Sequence, residues 1–301
     1  MLQLNRIKSI VNLVTIAPPA NSLAVERLTE AYVDEVLKFL VDRSVDQIFM
    51  TGLISDNGLE SPFNRGAFYA CRDGRGRLAG VALIGHATLV ATESDEALAA
   101  FSTLAARHPD AHVIVGEEEK INRFWQFYQR DGQAPNRLCR ELLVELRWPA
   151  EAQEAVPELR RATLDDLAPV MAVNARMALE ESGVNPLSYD PDGFRLRLAR
   201  RIAQGRVWVW IEHGRLLFKA DVMTDTSCAA YLEGVHVHPS ERRRRIGLRC
   251  MAQLGQHLLS GTKRLCLLVN EQNQNAQSFY FRAGYKLTGC YDTFFLKIRK
   301  S

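Results

Sequence analysis

Apolar residues recur along this chain with two periods, and the switches between them mark out strands and helices. Val235 and Val237 alternate with polar neighbours, as one face of a half-buried strand does. Following Ile246, the residues Leu248, Met251, Leu254 and Leu258 return at spacings of three and four, the stripe of a helix packed on one side. The same reading predicts a helix over 30–40 and strands over 66–71 and 78–84, joined by the turn Asp73-Gly74-Arg75-Gly76. A helix over 94–106, a strand over 112–116, a helix over 117–129 and a strand over 139–146 follow.

A second series begins with a strand over 158–161 and a helix from Thr163 to about Leu179, where Asp166 stands three residues after the capping threonine. A helix over 193–203 and strands over 207–212 and 216–223, around His213-Gly214, come next. A strand over 233–237, a helix over 246–259, a strand over 264–269, a short helix over 275–283 and a final segment over 285–298 complete it. Helices alternating with strands imply an α/β fold with a mixed sheet.

The segment from Trp148 to Pro157 carries two prolines among small and acidic residues, and reads as a linker. It divides the 301 residues into 1–150 and 158–301, two units of ordinary domain size. Both run through a similar order of elements. With 47% hydrophobic and 24% charged residues, each unit has enough apolar material for a core of its own. A net charge of +3 is too small for a general nucleic-acid binder, and no run reaches the roughly 20 apolar residues that span a bilayer, so neither nucleic acid nor membrane is expected as a partner. Cys71, Cys139, Cys228, Cys250, Cys266 and Cys290 show no metal-ligand spacing and lie partly within apolar runs, as reduced, buried thiols do. The apolar N-terminal run is interrupted by Asn12 and lacks a small-residue cleavage site, so a cytoplasmic protein is expected.

Chemistry concentrates where the strand over 233–237 gives way to the helix at Ile246. His238-Pro239-Ser240-Glu241 breaks the alternation, and Arg242, Arg243, Arg244 and Arg245 fill the junction. A helix start offers free backbone N–H groups and the positive end of a dipole, so a phosphate is favoured there. Standing alone, four arginines would equally read as a solvated charge run.

This junction resembles the acetyl-CoA loop of the GNAT acetyltransferase superfamily, whose pattern is Arg or Gln, two residues, Gly, one residue, Gly or Ala. A second matching motif follows: Val269-Asn270, Asn273-x-x-Ala276, and Phe279-Tyr280-x-Arg282-x-Gly284-Tyr285. The resemblance covers about 140 residues from Glu158 onward. It implies two acetyltransferase-like domains, each a mixed, mostly antiparallel sheet with helices on both faces. The first would be degenerate and noncatalytic, since it has no Arg-x-x-Gly-x-Gly loop and Glu117, Glu118 and Glu119 at a helix start would repel a pyrophosphate. The second would be an acetyl-CoA-dependent N-acetyltransferase needing no metal.

The resemblance also places the ligand. The pyrophosphate would sit on Arg242, Arg243, Arg244, Arg245, Ile246 and Gly247, and the pantetheine along the edge of Val235, His236 and Val237, between splayed strands. Arg245 replaces the loop's first glycine; it either points outward and adds charge or crowds the site. Tyr280 would protonate the departing thiolate, or serve only as a core tyrosine between Phe279 and Phe281. Asn273 would hold the splayed strand or the pantetheine by hydrogen bonds, although an asparagine there also reads as a helix cap, and Ala276 would belong to the same cofactor-binding motif.

Glu233, alternating with Tyr231, Val235 and Val237, is the candidate general base or a rim carboxylate that attracts a cationic acceptor. The acceptor, a small-molecule or peptide amine, would meet the region of Glu180 and Glu181, which read first as an exposed helix end, and Tyr291, Asp292 and Thr293 in a closing hairpin. The loop from Asp56 to Pro62 reads as an ordinary surface turn rather than a contact with the other half. Oligomerisation is compatible with all of this. The competing expectation is a CoA-binding regulatory protein without turnover; nucleic-acid binding through the arginine run has no aromatic or basic surface to accompany it.

Overall fold

The computed structural model describes residues 23–40, 45–150 and 154–297, so the N-terminal apolar run lies outside the described residues. The first half contains β1 (Val25–Arg27), α1 (Val33–Phe39), α2 (Val45–Asn57), β2 (Gly66–Arg72), β3 (Leu78–Gly85), β4 (Ala87–Thr92), α3 (Asp95–Ala106), β5 (Val113–Glu117), α4 (Glu118–Tyr128) and β6 (Pro135–Leu146). The second contains β7 (Arg160–Arg161), α5 (Leu167–Ser182), α6 (Pro186–Tyr189), α7 (Pro191–Ala203), β8 (Val207–Glu212), β9 (Arg215–Asp225), β10 (Ala230–Val237), α8 (Ile246–Leu259), β11 (Leu265–Asn270), α9 (Gln274–Arg282) and β12 (Lys286–Leu296). Short 3₁₀ turns precede α1, β2, α5 and α8.

All strands join one 12-stranded sheet in the order β1-β2-β3-β4-β5-β12-β6-β11-β10-β9-β8-β7. Only β4/β5 and β10/β11 are parallel; the other neighbours are antiparallel. Alternating side chains send β3 to two cores. Ala82 and Ile84 pack with α3 and α4, while Val81 and Leu83 pack with α1 and α2. Likewise Trp208 of β8 joins the core under α8, and Val207 and Val209 join the one under α5 and α7. The sheet is therefore covered on both faces in both halves.

The centre of the sheet corrects one expectation. The last segment does not close the second half as a hairpin. β12 runs between β5 and β6 of the first half, pairing Phe295 with Val113 on one side and Tyr291 with Glu141 on the other. In turn β6 pairs with β11, Leu265 opposite Leu146. Each half's final strand thus lies next to the parallel pair of the other.

Besides the short β1 and α6, two longer elements escaped the reading by periodicity. α2 carries apolar residues around much of its circumference because it packs between the halves, against β4 on one side and β9 and β10 on another. β4 is buried along nearly all its length and shows no alternation. The supposed linker ends in an anchor: Val156 is fully buried, and Gln253 of α8 both accepts from its N–H (2.8 Å) and donates to its carbonyl (3.0 Å). The 56–62 loop is not a plain surface turn either. Arg206 forms an ion pair with Asp56, and Arg200 donates to Asn57 Oδ1 at 2.7 Å while stacking 3.9 Å above the Phe63 ring. These contacts close the two halves over a shared cleft.

Candidate active site

The pairing of β10 dictates where a ligand enters. β10 meets its parallel neighbour β11 only at Ala230↔Leu265 and Tyr231↔Cys266. Beyond Tyr231 the two strands part, leaving the β10 edge from Leu232 onward without a β11 partner. On its other side, β10 carries a bulge against β9: Glu233 pairs with Asp221 and His236 with Lys219, so Gly234 and Val235 stand opposite the single residue Ala220. Gly234 has a φ of +58°, which favours glycine, and a Cβ there would come within 2.6 Å of Lys219 Nζ. Lys219 is fully buried, donates to the Gly234 carbonyl at 2.8 Å and pairs with Asp221 at 2.9 Å. Asp221 also accepts from Asn174 at 3.1 Å and lies 3.4 Å from Arg201. A buried ion pair thus fixes the bulge at the mouth of the wedge.

The wedge opens into two cavities. One, of about 890 Å³, runs along Val235, His236, Val237, the arginine loop and Gly247 to Tyr280. The other, of about 1310 Å³, reaches from Tyr280 and Glu233 across to the first half. Asn273, Ala276 and Tyr280 line both, so α9 stands at their junction.

At the loop, Arg242, Arg243, Arg244 and Arg245 are all exposed. Arg242 donates to the Val237 carbonyl at 3.2 Å, and Arg244 pairs with Glu241 at 3.3 Å. Arg243 and Arg245 have φ of +66° and +62°. Arg245 therefore holds the left-handed conformation that the missing glycine would supply, as N-cap of α8. The first backbone bond of the helix runs from Arg249 N to the Arg245 carbonyl at 3.0 Å, so the N–H groups of Ile246, Gly247 and Leu248 have no partner within the helix. Gly247 serves close packing: an added Cβ would lie 2.8 Å from Val237 Cγ2 and 2.9 Å from Phe279 Cε2. Exposed guanidinium groups and free helix N–H groups together make this corner favourable to an anion, and a pyrophosphate is one such group.

Tyr280 is buried and packs edge-on against Phe279 and Tyr285 at 5.2 and 5.7 Å. Burial raises its phenol well above the ordinary value, so it stays protonated at neutral pH. Asn273 caps α9, its Oδ1 accepting from Ala276 N at 3.1 Å. His236 is buried beside the loop, and burial with the nearby Arg176 and Lys219 lowers its pKa to about 4, leaving it neutral.

Glu233 opens onto the larger cavity and its side chain is exposed there, so it is desolvated by the surrounding walls of an open cleft and not by a sealed core. That partial loss of hydration, and then the charge of Glu181, push its carboxyl up to about 7, against the pull of Arg201 and Lys219. Glu181, exposed at the end of α5 in the same cleft, is raised to about 7 by desolvation and by Glu141. Glu141, on β6, is raised to about 7 by burial and by Glu233 and Asp292, although Thr293 donates to it. Three carboxylates from three elements thus face one space, and none ionises independently of the others.

Glu141 was not legible as a site residue, because β6 belongs to the half that lacks the loop motif. Its only signal is the alternation of Arg137, Cys139 and Glu141 along one face of a strand. Glu180 and Glu181 are exposed near the end of their helix, as expected, and they also line the cleft, where Arg137 donates to their backbone carbonyls at 3.0 and 2.6 Å. Tyr291 and Thr293 also line the cavity, with the Tyr291 hydroxyl accepting from Val45 N at 2.9 Å. Asp292, between them, points to the opposite face and accepts from Asn122 at 2.8 Å. No group of His, Cys, Asp or Glu among the described residues could hold a metal ion, and no helix among them is long and apolar enough to cross a membrane.

Comparison with known proteins agrees with this geometry. Residues 203–287, which hold the bulge, the loop and α9, match the acetyltransferase (GNAT) domain family. A GNAT-family acetyltransferase of Colwellia psychrerythraea superposes with a TM-score of 0.57 at 13% identity, over 91% of this chain and 100% of that one. A Drosophila protein superposes with a TM-score of 0.66 at 15% identity, over 92% and 100%. A tandem GNAT protein from the clavulanic acid biosynthesis pathway gives 0.59 at 12% identity, over 93% and 99%. No curated protein matches. Residues 203–287 are therefore similar to a GNAT acetyltransferase domain, and over most of its length the chain has the fold of a tandem GNAT protein.

Proposed function

We propose that the protein is an N-acetyltransferase that moves an acetyl group from acetyl-CoA to an amine in a ternary complex. The observation that carries this is the wedge between β10 and β11, with the exposed arginines and free N–H groups of the α8 start at one end and the Glu233 carboxylate at the other. The pyrophosphate would rest on the amides of Ile246 and Gly247 and beside Arg242, Arg243 and Arg245, with the pantetheine along Val235 to Val237, Asn273 and Ala276. The thioester would then reach the bulge at Gly234, beneath Tyr280.

An acceptor arriving as an ammonium gives one proton to Glu233, and the freed amine attacks the thioester carbonyl carbon. The C–S bond breaks as the second nitrogen-bound proton leaves for the Glu181/Glu141 side of the cleft or its water. The departing sulfur takes the Tyr280 hydroxyl proton, which solvent restores. A base near pH 7 is matched to this work, and a phenol held protonated is an acid without further tuning. On this reading 158–301 supplies the reacting groups, and 1–150 contributes the far wall of the acceptor cleft, Glu141 included.

The test combines binding and rate. Acetyl-CoA titrated calorimetrically should bind in the micromolar range, and acetylation of an amine panel should give kcat/KM rising with pH to a plateau above about 7. Glu233→Gln should lower kcat/KM by about 10²–10³-fold at neutral pH, and by less at high pH where free amine is abundant. An unchanged pH profile would remove Glu233 as the base. Binding without transfer to any amine would favour a CoA-binding protein that lacks turnover.

A further inference from the structure

The larger cavity ends, away from Glu233, in a group of arginine and histidine side chains that the reaction above does not use. Arg65, between the 3₁₀ turn and β2, holds a left-handed φ of +53°. Its carbonyl accepts from His86 N at 2.8 Å, and the His86 carbonyl accepts from His112 N at 3.0 Å. The His86 and His112 rings stack at 4.9 Å. Close approach of Gly66 and Gly85 makes room for this corner, since a Cβ on Gly85 would fall 2.2 Å from the Arg65 carbonyl oxygen. Backbone bonds therefore hold Arg65, His86 and His112 side by side in the cavity wall.

Arg197 of α7 faces the same corner and pairs with Asp190 at 3.0 Å. Arg65 has no carboxylate within ion-pair distance among the described residues; Asp190 and the exposed Asp110 act on it only through space. Burial and the like charge of Arg197 bring its guanidinium down to about 10. Burial, then Arg65, likewise lowers the pKa of His86, to about 2, and of His112. Neither imidazole ring has a hydrogen-bond partner among the described residues. A half-buried guanidinium flanked by idle imidazoles lacks an anion, and burial strengthens its demand for one.

α7 sets the distance between this corner and the carboxylates. Arg201 lies against Asp221, opposite Glu233, and Arg197 is one helical turn earlier, about 6 Å along the axis. We propose that the Arg65–His86–His112 corner is a subsite for an anionic group of the acceptor, which is therefore an amine carrying a carboxylate or phosphate at least one helical turn, about 6 Å, from its nitrogen. The acidic end of the cleft receives the ammonium and the basic end the anion, so a dipolar acceptor lies along the cavity with its nitrogen at Glu233. Calling the ligand an acceptor rests on the proposed acetyl transfer; the anion site does not.

The experiment observes the histidine ring nitrogens of the full chain by NMR, without acetyl-CoA, during titration with 6-aminohexanoate, 6-aminohexyl phosphate and hexylamine. The two anionic probes separate a carboxylate site from a phosphate site. At least one should shift the His86 and His112 signals saturably, while hexylamine leaves them in place. Arg65→Asn keeps a residue that tolerates the left-handed backbone and should weaken that binding tenfold or more at an unchanged melting temperature. Arg65→Lys, which retains the charge, should weaken it less. Absence of saturation with both anions, equal binding of hexylamine, or undiminished binding by folded Arg65→Asn overturns the proposal. Saturable anion binding by a protein that transfers no acetyl group would sink the proposed function and leave the subsite standing. Equal acetylation of hexylamine and the anionic amines would do the reverse.

Discussion

At the scale of single residues, Arg245 joins two roles that the family's glycine keeps apart. Its φ of +62° is strained for a residue with a Cβ, by roughly 1–2 kcal/mol, and its exposed guanidinium adds charge to the loop. Arg245→Gly should relieve the strain, partly offset by glycine's greater freedom in the unfolded chain, for a net gain of about 0.5–1 kcal/mol. The same change should weaken acetyl-CoA by about fivefold, the scale of one exposed charged contact. Arg245→Ala should lose the affinity without gaining the stability, which assigns each effect to its cause; urea melts and calorimetric titration read the two. Gly247 is set by packing instead. Gly247→Ala should destabilise the fold by about 1–3 kcal/mol, because Val237 and Phe279 would have to move, and urea denaturation checks it. The sequence marked these positions because phosphate binding needs local chain geometry, which a short motif encodes. Glu141 and Arg65 carried no such mark, as their roles depend on what faces them from other elements.

At the scale of elements, the cluster of Glu233, Glu181 and Glu141 is made by β10, α5 and β6 converging, and its energetics are those of like charges in a crowded cleft. A carboxyl raised from 4.5 to about 7 keeps its proton in the fold after the unfolded chain has released it. The folded state then binds more protons, so stability falls as pH rises from about 4.5 to about 7, and the loss stays constant above that. Glu141→Gln preserves an oxygen to accept from Thr293 and removes the charge. It should therefore raise the melting temperature above pH 7 and leave it unchanged below pH 4. With one repelling neighbour fewer, the acid limb of kcat/KM should also move to lower pH, a readout that mere repacking would not shift. Periodicity predicted most of the elements concerned, since β10, α8 and α9 each have one wet and one dry face. It failed for α2 and β4, which are enclosed and so lose the alternation on which such reading depends.

At the scale of the whole molecule, the exchange of final strands makes the halves one folding problem, although their sequences read as two units joined by a linker. Hydrophobic pattern records that a strand is buried and is silent on which neighbour buries it, so β6 and β12 were legible as strands and their partners were not. Each half alone would lack a central strand. Residues 154–301 without β6 would expose the edge of β11 and the apolar faces of Leu267 and Val269, and residues 1–150 without β12 would leave β5 and β6 unpaired at the middle of a sheet. Open edges of this kind template aggregation. Each fragment expressed alone should be insoluble or lack a cooperative melt, whereas the two co-expressed should recover a 1:1 complex with the far-UV spectrum and melting transition of the intact chain. The ion pair of Arg206 with Asp56 and the seating of Arg200 on Phe63 would help that complex form. A soluble, cooperatively folded 154–301 fragment that acetylates amines as fast as the whole protein would show that the exchange is dispensable, and would remove Glu141 and Arg65 from the site together. Slow folding of the intact chain is the companion expectation, because β12 must find β5 across most of the sequence before the sheet closes. Stopped-flow refolding of the intact chain should therefore show a dominant slow phase that does not change with protein concentration, whereas refolding of the two unfolded fragments together should slow further on dilution.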